Sequence, residues 1–179
     1  IWDFSNSAGH NTLGYLKNGS GDTQFYGWGE TSKWTVKTGS SVVKGQAVIL
    51  TKDSGSSNLA IIPVVYSSLT GVSPFTTPFN MLGIALETVS GGNDCLVCTR
   101  GISTVLCTSN ITADFVSSSS VSDVGIDGVV GRDGGIFCNT TPAPLVNYIR
   151  AGYFLESGGG VASNGNYALF YVEPKVQNG

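Results

Sequence analysis

The chain has 179 residues, a formal net charge of −3, charged residues at 12% and 25 glycines. An acidic balance argues against nucleic-acid binding, which needs a basic surface. The chain also has no apolar run near the ~20 residues of a membrane-spanning helix. We therefore expect no nucleic acid and no membrane among its partners. Because the mean hydropathy is +0.15 and apolar and hydroxylated residues are in excess over charged ones, we expect much of the surface to be buried against other subunits.

The opening segment, residues 1–29, is rich in Gly, Ser and Asn with aromatic residues scattered between them. We interpret it as an extended N-terminal arm whose aromatics either pin it to its own domain or reach a neighbouring subunit. Since buried aromatics dominate interface energetics, the predicted interface anchors are Trp2, Phe4, Trp28 and Trp34. The chain starts at Ile1 without an initiator Met, so we expect a processed product or the ordered part of a longer protein.

Short strand-like runs punctuated by glycine follow the arm, over Lys33–Lys37, Ser41–Thr51, Leu59–Tyr66, Met81–Thr88, Cys95–Thr99, Ile102–Thr108, Val124–Val130, Gly135–Cys138, Ile149–Glu156 and Tyr167–Pro174. This spacing predicts an all-β fold, an antiparallel β-barrel or sandwich of short strands. The predicted β domain covers residues 30–179, with a subdivision near 109–123 as an alternative.

Three stretches between these strands have no clear strand period. Ser67–Pro78 contains two prolines and predicts a long loop. Ser117–Ser122 is either a linker or an exposed edge, and Gly158–Gly160 predicts a flexible turn.

Met81–Leu106 carries the clearest pattern in the chain. Ile84 and Leu86 alternate with less apolar neighbours, which is the period of a strand with one buried face. Ser90–Asp94 supplies the residues of a tight reversal. We expect a break at Arg100-Gly101 between two separate strands.

The four cysteines are Cys95, Cys98, Cys107 and Cys138. Cys95 and Cys98 have CxxC spacing, yet they lie within a predicted strand, where positions i and i+3 point to opposite faces and do not easily share a metal or a disulfide. Small buried hydrophobes are the favoured interpretation. Cross-strand pairing, for example of Cys98 with Cys107, remains open, as do zinc and redox roles.

Catalytic chemistry has few candidate residues. His10 is the lone histidine and has no nucleophile-bearing turn beside it, so we interpret it as a surface or capping residue. Asp53 and Asp94 lie in predicted turns, where Asx-type turns use the carboxylate. The segments around Asp123, Asp127 and Asp133 lack the spacing of a calcium loop, so turn chemistry is favoured over a cation site. The sequence predicts no enzyme, no metal and no cofactor.

Three segments taken together, Val42–Thr51, Met81–Thr88 and Gly91–Thr104, give a family resemblance. Their order, with a "GIAL" strand, a Gly-rich hairpin and a short strand ending in Arg-Gly, resembles phage head-decoration and related fibre-type proteins. The resemblance covers about the middle half of the chain. It implies a β-barrel-like module that decorates or projects from a capsid, commonly as a homotrimer, on the virion surface.

The function predicted from these observations is that of a structural virion protein, a capsid-decoration or fibre-type subunit that self-associates and contacts the major capsid protein or other virion subunits. The main alternative is a carbohydrate- or receptor-binding β module on a fibre or cell surface, with Tyr66, Phe75 and Tyr148 stacking on sugar rings. An extracellular filament or surface-layer subunit and a hydrolase are further alternatives.

Overall fold

The computed structural model describes residues 16–19, 22–25, 28–53, 55–65, 81–108, 117–118, 120–121, 126–131, 133–139, 148–155, 158–159 and 165–177. These ranges form sixteen strands and turns and contain no helix. The strands are β1 (Leu16–Gly19), β2 (Asp22–Phe25), β3 (Trp28–Thr35), β4 (Ser41–Val42), β5 (Ala47–Lys52), β6 (Leu59–Pro63), β7 (Met81–Ala85), β8 (Val89–Ser90), β9 (Asp94–Leu106), β10 (Ser117–Ser118), β11 (Ser120–Val121), β12 (Asp127–Val130), β13 (Ile136–Asn139), β14 (Tyr148–Phe154), β15 (Gly158–Gly159) and β16 (Tyr167–Gln177).

Ten of these strands form one large sheet, in the order β10-β13-β12-β14-β16-β9-β7-β5-β6, with β3 added against β9. All of its strand pairs are antiparallel. The pairs β1–β2, β4–β8 and β11–β15 form separate two-stranded sheets. The all-β, antiparallel prediction is confirmed, and the sheet is not closed into a barrel.

The longest strand described is β9, with 13 residues, and it shows that one prediction is wrong. The expected break at Arg100-Gly101 is absent, because β9 runs unbroken from Asp94 to Leu106. Instead, the pairing with β3 shifts register so that Thr31 faces Cys98 while Glu30 faces Arg100. The residue left over, Thr99, is a bulge, and a bulge reverses which residues of a strand point to which face.

Several other predicted boundaries differ from the structure, and two of them change the kind or number of elements. Ser41–Thr51 is two strands, because the chain turns at Lys44-Gly45, where the Gly45 amide donates to the Ala85 carbonyl at 2.8 Å. The predicted turn at Gly158–Gly160 contains a strand, since Gly158 and Gly159 pair with β11. Ser117–Ser118 lies at the end of the sheet order, as the edge interpretation of that stretch expects.

Only the later part of the predicted arm is described. There β1 and β2 pair antiparallel, and β3 begins at Trp28, one residue before the predicted boundary at 29. The division into arm and domain, and the subdivision near 109–123, stay predictions. Ser67–Pro78 lies outside the described residues.

Two apolar clusters flank the sheet, and β9 contributes to both. Before the bulge, Cys95 and Val97 belong to the smaller cluster while Cys98 belongs to the larger one. After the bulge, Val105 and Cys107 belong to the larger cluster. The main core therefore lies on the face of the sheet lined by Cys98 and Val105, with Phe154, Phe170 and Val172 packed beside them.

A row of glycines crosses the centre of the sheet. Gly128 of β12 pairs with Gly152 of β14, which pairs with Val172 of β16; Val172 pairs with Gly101 of β9, which pairs with Gly29 of β3. Register shifts occur beside this row in three of the four pairings. Because bulges bend strands and increase their twist, we expect the sheet to bend along the glycine row.

Candidate interaction surface

The face opposite the main core carries a row of uncharged side chains, here called the outer stripe. Alternate residues of β16 are buried in the core, at Ala168, Phe170 and Val172, so Tyr167, Leu169 and Tyr171 point the other way. Their cross-strand partners on β9 and β14 point the same way. The outer stripe consists of Ile102, Thr104, Leu106, Tyr153, Tyr167, Leu169 and Tyr171. The exposed Arg100 precedes Ile102 on the same face of β9.

Two tyrosines stack at the centre of the outer stripe. Tyr153 of β14 and Tyr171 of β16 are direct cross-strand partners, and their ring centroids are 5.0 Å apart with planes inclined by 18°. Cross-strand aromatic pairs stabilise a sheet. On the opposite face, Phe154 and Phe170 make the matching contact edge to face, also at 5.0 Å. Aromatic pairs therefore hold β14 to β16 on both faces.

Exposure increases toward one end of the outer stripe. Tyr167 is 48% exposed, whereas Ile102, Tyr153, Leu169 and Tyr171 are half-buried. A solvent-facing side of an antiparallel sheet normally alternates to polar residues. An uncharged aromatic and aliphatic row at this position is typical of a sheet that packs on both faces.

Thr104 is the polar member of the outer stripe and lies opposite Leu169. Its hydroxyl oxygen is buried and has no hydrogen-bond partner within the described ranges. Leaving a buried hydroxyl unsatisfied costs about 1–3 kcal/mol. Unsatisfied buried hydroxyls are uncommon in native structures.

A compact ionic cluster borders the outer stripe. Arg150 Nε donates to Asp127 Oδ1 at 2.7 Å, and Arg150 Nη1 lies 3.6 Å from Glu173 Oε2. The Arg150 side chain is only 14% exposed. Since these three residues come from β12, β14 and β16, the cluster joins three adjacent strands. One guanidinium faces two carboxylates, so the cluster has a formal net charge of −1.

The second segment that was compared with a calcium loop, around Asp133, forms a turn that is bonded to two other parts of the chain. Asp133 Oδ1 accepts from the Gly135 amide at 3.0 Å, and Oδ2 accepts from Thr108 Oγ1 at 2.7 Å. Gln46 Nε2 donates to the Asp133 carbonyl at 2.9 Å. The predicted turn chemistry is therefore confirmed for Asp133. In the described part of the chain, no group of three or more His, Cys, Asp or Glu side chains is placed to hold a metal ion.

The carboxylates of Asp53 and Asp94 each accept a hydrogen bond from a residue that is distant in the sequence. Asp53 Oδ1 accepts from the Thr38 amide at 2.9 Å, and Asp94 Oδ1 accepts from Thr35 Oγ1 at 2.9 Å. The hydrogen bond from Thr35, helped by the ammonium of Lys33, lowers the pKa of the Asp94 carboxyl. The Asp94 carboxylate therefore joins β9 to β3, so the Asx-turn prediction is wrong for Asp94. For Asp53 it stays a prediction.

All four cysteines are buried and free. Cys95 and Cys98 lie in different clusters, which confirms the prediction that they point to opposite faces. Burial raises the pKa of the Cys98 thiol to about 12. Burial, together with the nearby Glu87 carboxylate, raises the pKa of Cys95 to about 11. Protonated thiols in apolar surroundings are poor nucleophiles, so these cysteines act as small core residues.

The residues predicted to form an interface or a ligand site are only partly described. Trp34 packs half-buried against the smaller cluster, and its Nε1 donates to Ser32 Oγ at 2.7 Å. Trp28 and Tyr148 lie on β3 and β14, where the structure describes the backbone alone. The remaining four, Trp2, Phe4, Tyr66 and Phe75, and also His10, lie outside the described residues. The predicted roles stay predictions.

The outer stripe was not predicted, although the sequence of β16 carries a signal for it. Tyr167, Leu169 and Tyr171 alternate with Ala168, Phe170 and Val172, so both faces of β16 are apolar. A continuous apolar run of this kind indicates a strand covered on both sides.

The chain was compared with protein-family models, curated proteins and solved structures. No protein-family model matches the chain, and no curated protein matches it. Among solved structures, the head fiber gp8.5 N base in bacteriophage phi29 is similar over 83% of this chain and 99% of that chain, at 16% identity and a TM-score of 0.47. No helix long and apolar enough to cross a membrane occurs in the described ranges.

Proposed function

We propose that this chain is a structural subunit of a virus particle, of the capsid-decoration or fibre type, and that it works by association rather than catalysis. It joins the virion surface through contacts with further copies of itself, as a trimer, and with the major capsid protein. The observation that carries the proposal is the apolar outer face of the central strands β9, β14 and β16.

The thiols and carboxylates of the described residues are engaged within the fold, which supports the proposal. The thiols are buried in the clusters, Asp133 closes its own turn and Asp127 pairs with Arg150. In the described ranges, these groups therefore serve the fold. Apolar side chains remain at the surface instead, with Leu59 at 55% and Tyr167 at 48% exposure. Exposed apolar area of this kind favours contact with other subunits.

The sequence supports assigning the association to a virus particle. The segments Val42–Thr51, Met81–Thr88 and Gly91–Thr104 resemble head-decoration and fibre-type proteins. In the structure they contain most of β5, all of β7 and most of β9, which are adjacent strands of the main sheet. Repetition of one contact over a lattice multiplies its strength through avidity, so each single contact need not be strong.

The experiment is quantification of the chain in purified particles by mass spectrometry with isotope-labelled peptides. We expect a fixed stoichiometric ratio to the major shell protein. In the full-length chain, Trp2→Ala with Phe4→Ala tests the predicted arm anchors and should lower incorporation, whereas Lys52→Ala, on an exposed position of β5, should leave it unchanged. Absence of the chain from particles would overturn the proposal.

A further inference from the structure

We infer that the chain contains two copies of one structural unit, joined through strand β9. The first unit consists of β3 to β9. The second consists of β9 and β11 to β16, so that β9 is the last strand of the first unit and the first strand of the second. The inference concerns how the fold is built and is independent of the proposed function.

The two units have the same strand order. In the first unit, neighbouring strands of the main sheet follow the order β3-β9-β7-β5-β6. In the second unit they follow the order β9-β16-β14-β12-β13, and every pair in both units is antiparallel. Outside the main sheet, β4 pairs with β8 and β11 pairs with β15, so each unit has one short pair formed by the same two connections. Among the described strands from β3 onward, only β10 has no counterpart.

Each unit also has a parallel bridge at the same place. Val36, directly after β3, bridges Ile61 of β6, and Cys107, directly after β9, bridges Ile136 of β13. In both cases the next amide along the chain donates to the carbonyl of the same isoleucine, at 3.0 Å. Both bridges are parallel in a sheet whose strand pairs are antiparallel, so their recurrence is not a general property of the sheet.

The same irregularity interrupts the register of both units. On β7, the pairing with β5 skips one residue, Leu82, directly before Gly83. On β14, the pairing with β12 skips one residue, Ala151, directly before Gly152. Bulges are specific features that related structures share. A one-residue bulge beside a glycine, at the same register position of two strands, therefore indicates a common origin.

Gly83 and Gly152 also meet the same steric requirement. A Cβ atom on Gly83 would collide with the carbonyl oxygen of Cys98 and with the side chain of the residue before it. A Cβ atom on Gly152 would collide with the carbonyl oxygen of Tyr171 and, again, with the side chain of the residue before it. Cys98 and Tyr171 occupy the same position in the two units, since they pair with equivalent residues of β3 and β9.

The turn before the last strand is the same in both units. Gly92 and Gly165 have positive φ, +83° and +85°, and each is followed by an asparagine. In both units, the glycine amide donates to the carbonyl of the bridging residue, Val36 or Cys107, and the asparagine carbonyl accepts from the amide of that residue. These four hydrogen bonds measure 2.7–3.0 Å. The turn is therefore connected to the bridge in the same way in both units.

The smaller apolar cluster lies inside the first unit, and the counterparts of its residues belong to the larger cluster. The second unit has phenylalanine at two positions where the first has alanine or valine, so equivalent backbones are packed with side chains of different size. Five residues of the smaller cluster, Val36, Ile61, Ala85, Cys95 and Val97, have as counterparts Cys107, Ile136, Phe154, Ala168 and Phe170 of the larger one.

A residual similarity in sequence follows the same correspondence. Gly83–Glu87 reads GIALE, and Gly152–Glu156 reads GYFLE. The leucine of each segment donates its amide to a leucine carbonyl of the last strand at 2.9 Å, Leu96 in the first unit and Leu169 in the second. The shared bulge, turn and sequence are expected if one segment was duplicated, whereas antiparallel pairing alone requires none of them.

The test transfers a packing arrangement from the second unit to the first. In the second unit the Phe170 ring lies against Gly128, where a Cβ atom would be 2.2 Å from Phe170 Cε2. Their counterparts in the first unit are Val97 and Val48, two valines whose combined volume is close to that of a glycine and a phenylalanine. In the full-length chain, Val97→Phe should destabilise the fold by overpacking, and adding Val48→Gly should make room for the ring.

Urea denaturation of the two single variants and the double variant measures this coupling. We expect the unfolding equilibrium constant of the double variant to be about tenfold smaller than the two single effects together would give. The control combines Val97→Phe with Val36→Gly, at another buried valine of the smaller cluster that lies beyond the β3–β9 pairing, and its effects should add. Additive effects of Val48→Gly and Val97→Phe, or equal coupling in the control, would overturn the inference.

Hydrogen exchange followed by NMR tests the same correspondence in the unmodified chain, and it decides the question if a variant does not fold. Both members of each equivalent pair of hydrogen-bonded amides should be protected. The pairs are Val36 and Cys107, Lys37 and Thr108, Leu86 and Leu155, and Gly92 and Gly165. Fast exchange of one amide beside a protected counterpart would overturn the inference. Neither experiment involves a partner, so either result leaves the proposed function unaffected.

Discussion

Gly29 of β3 and Gly101 of β9 lie directly opposite each other, and both have positive φ, +134° and +117°. A Cβ atom at Gly29 would lie 2.2 Å from the Arg100 carbonyl oxygen and 2.8 Å from the Gly101 Cα. The two backbones therefore approach more closely than any other residue type allows. This pair forms one end of the glycine row along which we expect the sheet to bend.

Gly29→Ala should destabilise the fold by about 2–4 kcal/mol, because it combines backbone strain with a clash against backbone atoms. Gly39→Ala is the matched control. Gly39 also has positive φ, +80°, but a Cβ there meets nothing within 4 Å, so only strain remains, at about 1 kcal/mol. The free energies of unfolding of both variants are measured by urea denaturation, with the same denaturant dependence (m value) for each. Equal losses for the two variants would show that the close approach contributes nothing.

Gly128 and Phe170 should be energetically coupled. A Cβ at Gly128 would lie 2.2 Å from Phe170 Cε2, so Gly128→Ala displaces the ring and should cost about 1–3 kcal/mol. Phe170→Leu makes room for that methyl group. A double-mutant cycle by urea unfolding should show the pair to be less destabilising than the sum of the single changes, by about 1 kcal/mol or more. Additive effects would contradict the packing described.

The thiols should be unreactive in the native protein. Ellman's reagent at pH 8 should detect none of the four thiols without denaturant and all four in urea, because burial keeps them protonated and covered. Rapid reaction of even one thiol under native conditions would contradict their placement in the core.

The same thiols predict loss of stability at alkaline pH. Burial raises the folded-state pKa of Cys95 and Cys138 to about 11, from the model-compound value of 9.0. Their contribution is fully present below pH 9. It is lost as pH rises from 9 through 11, because the unfolded chain releases these protons first. Melting temperatures from pH 7 to 11 should fall above pH 9, and Cys138→Ala should reduce that slope.

Arg150→Met should destabilise the fold by about 1–3 kcal/mol, because it leaves the Asp127 and Glu173 carboxylates without their shared cation. The control is Lys33→Met. Lys33 lies 3.2 Å from Asp94, but its side chain is 61% exposed, so its removal should leave the unfolding midpoint unchanged. Urea unfolding compares the two, and similar effects would argue against a structural role for the Arg150 cluster.

Strand existence was predictable from the sequence where alternation is strong. Met81–Ala85 forms β7, and Gly91–Asn93 form the turn before β9, as their apolar period and glycines indicate. The opposite orientation of Cys95 and Cys98 followed from strand geometry alone.

The register-dependent features were not predictable. Arg100-Gly101 has the composition of a break, yet Gly101 sits inside β9 because Gly29 of a distant strand packs against it. Likewise, Gly128 and Gly152 become partners only through the pairing of β12 with β14. A glycine in the local sequence is compatible with either a strand end or a strand interior. Which of the two it occupies depends on the strand that pairs with it.

The most direct test of the account is native mass spectrometry of the purified full-length chain over a range of concentrations. If the chain works by association, a single defined oligomer should predominate at high concentration and should dissociate on dilution, with Leu169→Glu shifting the population to monomer at every concentration. A chain that remains monomeric throughout, or whose oligomer is unaffected by a charge placed at Leu169, would contradict the proposed mode of association.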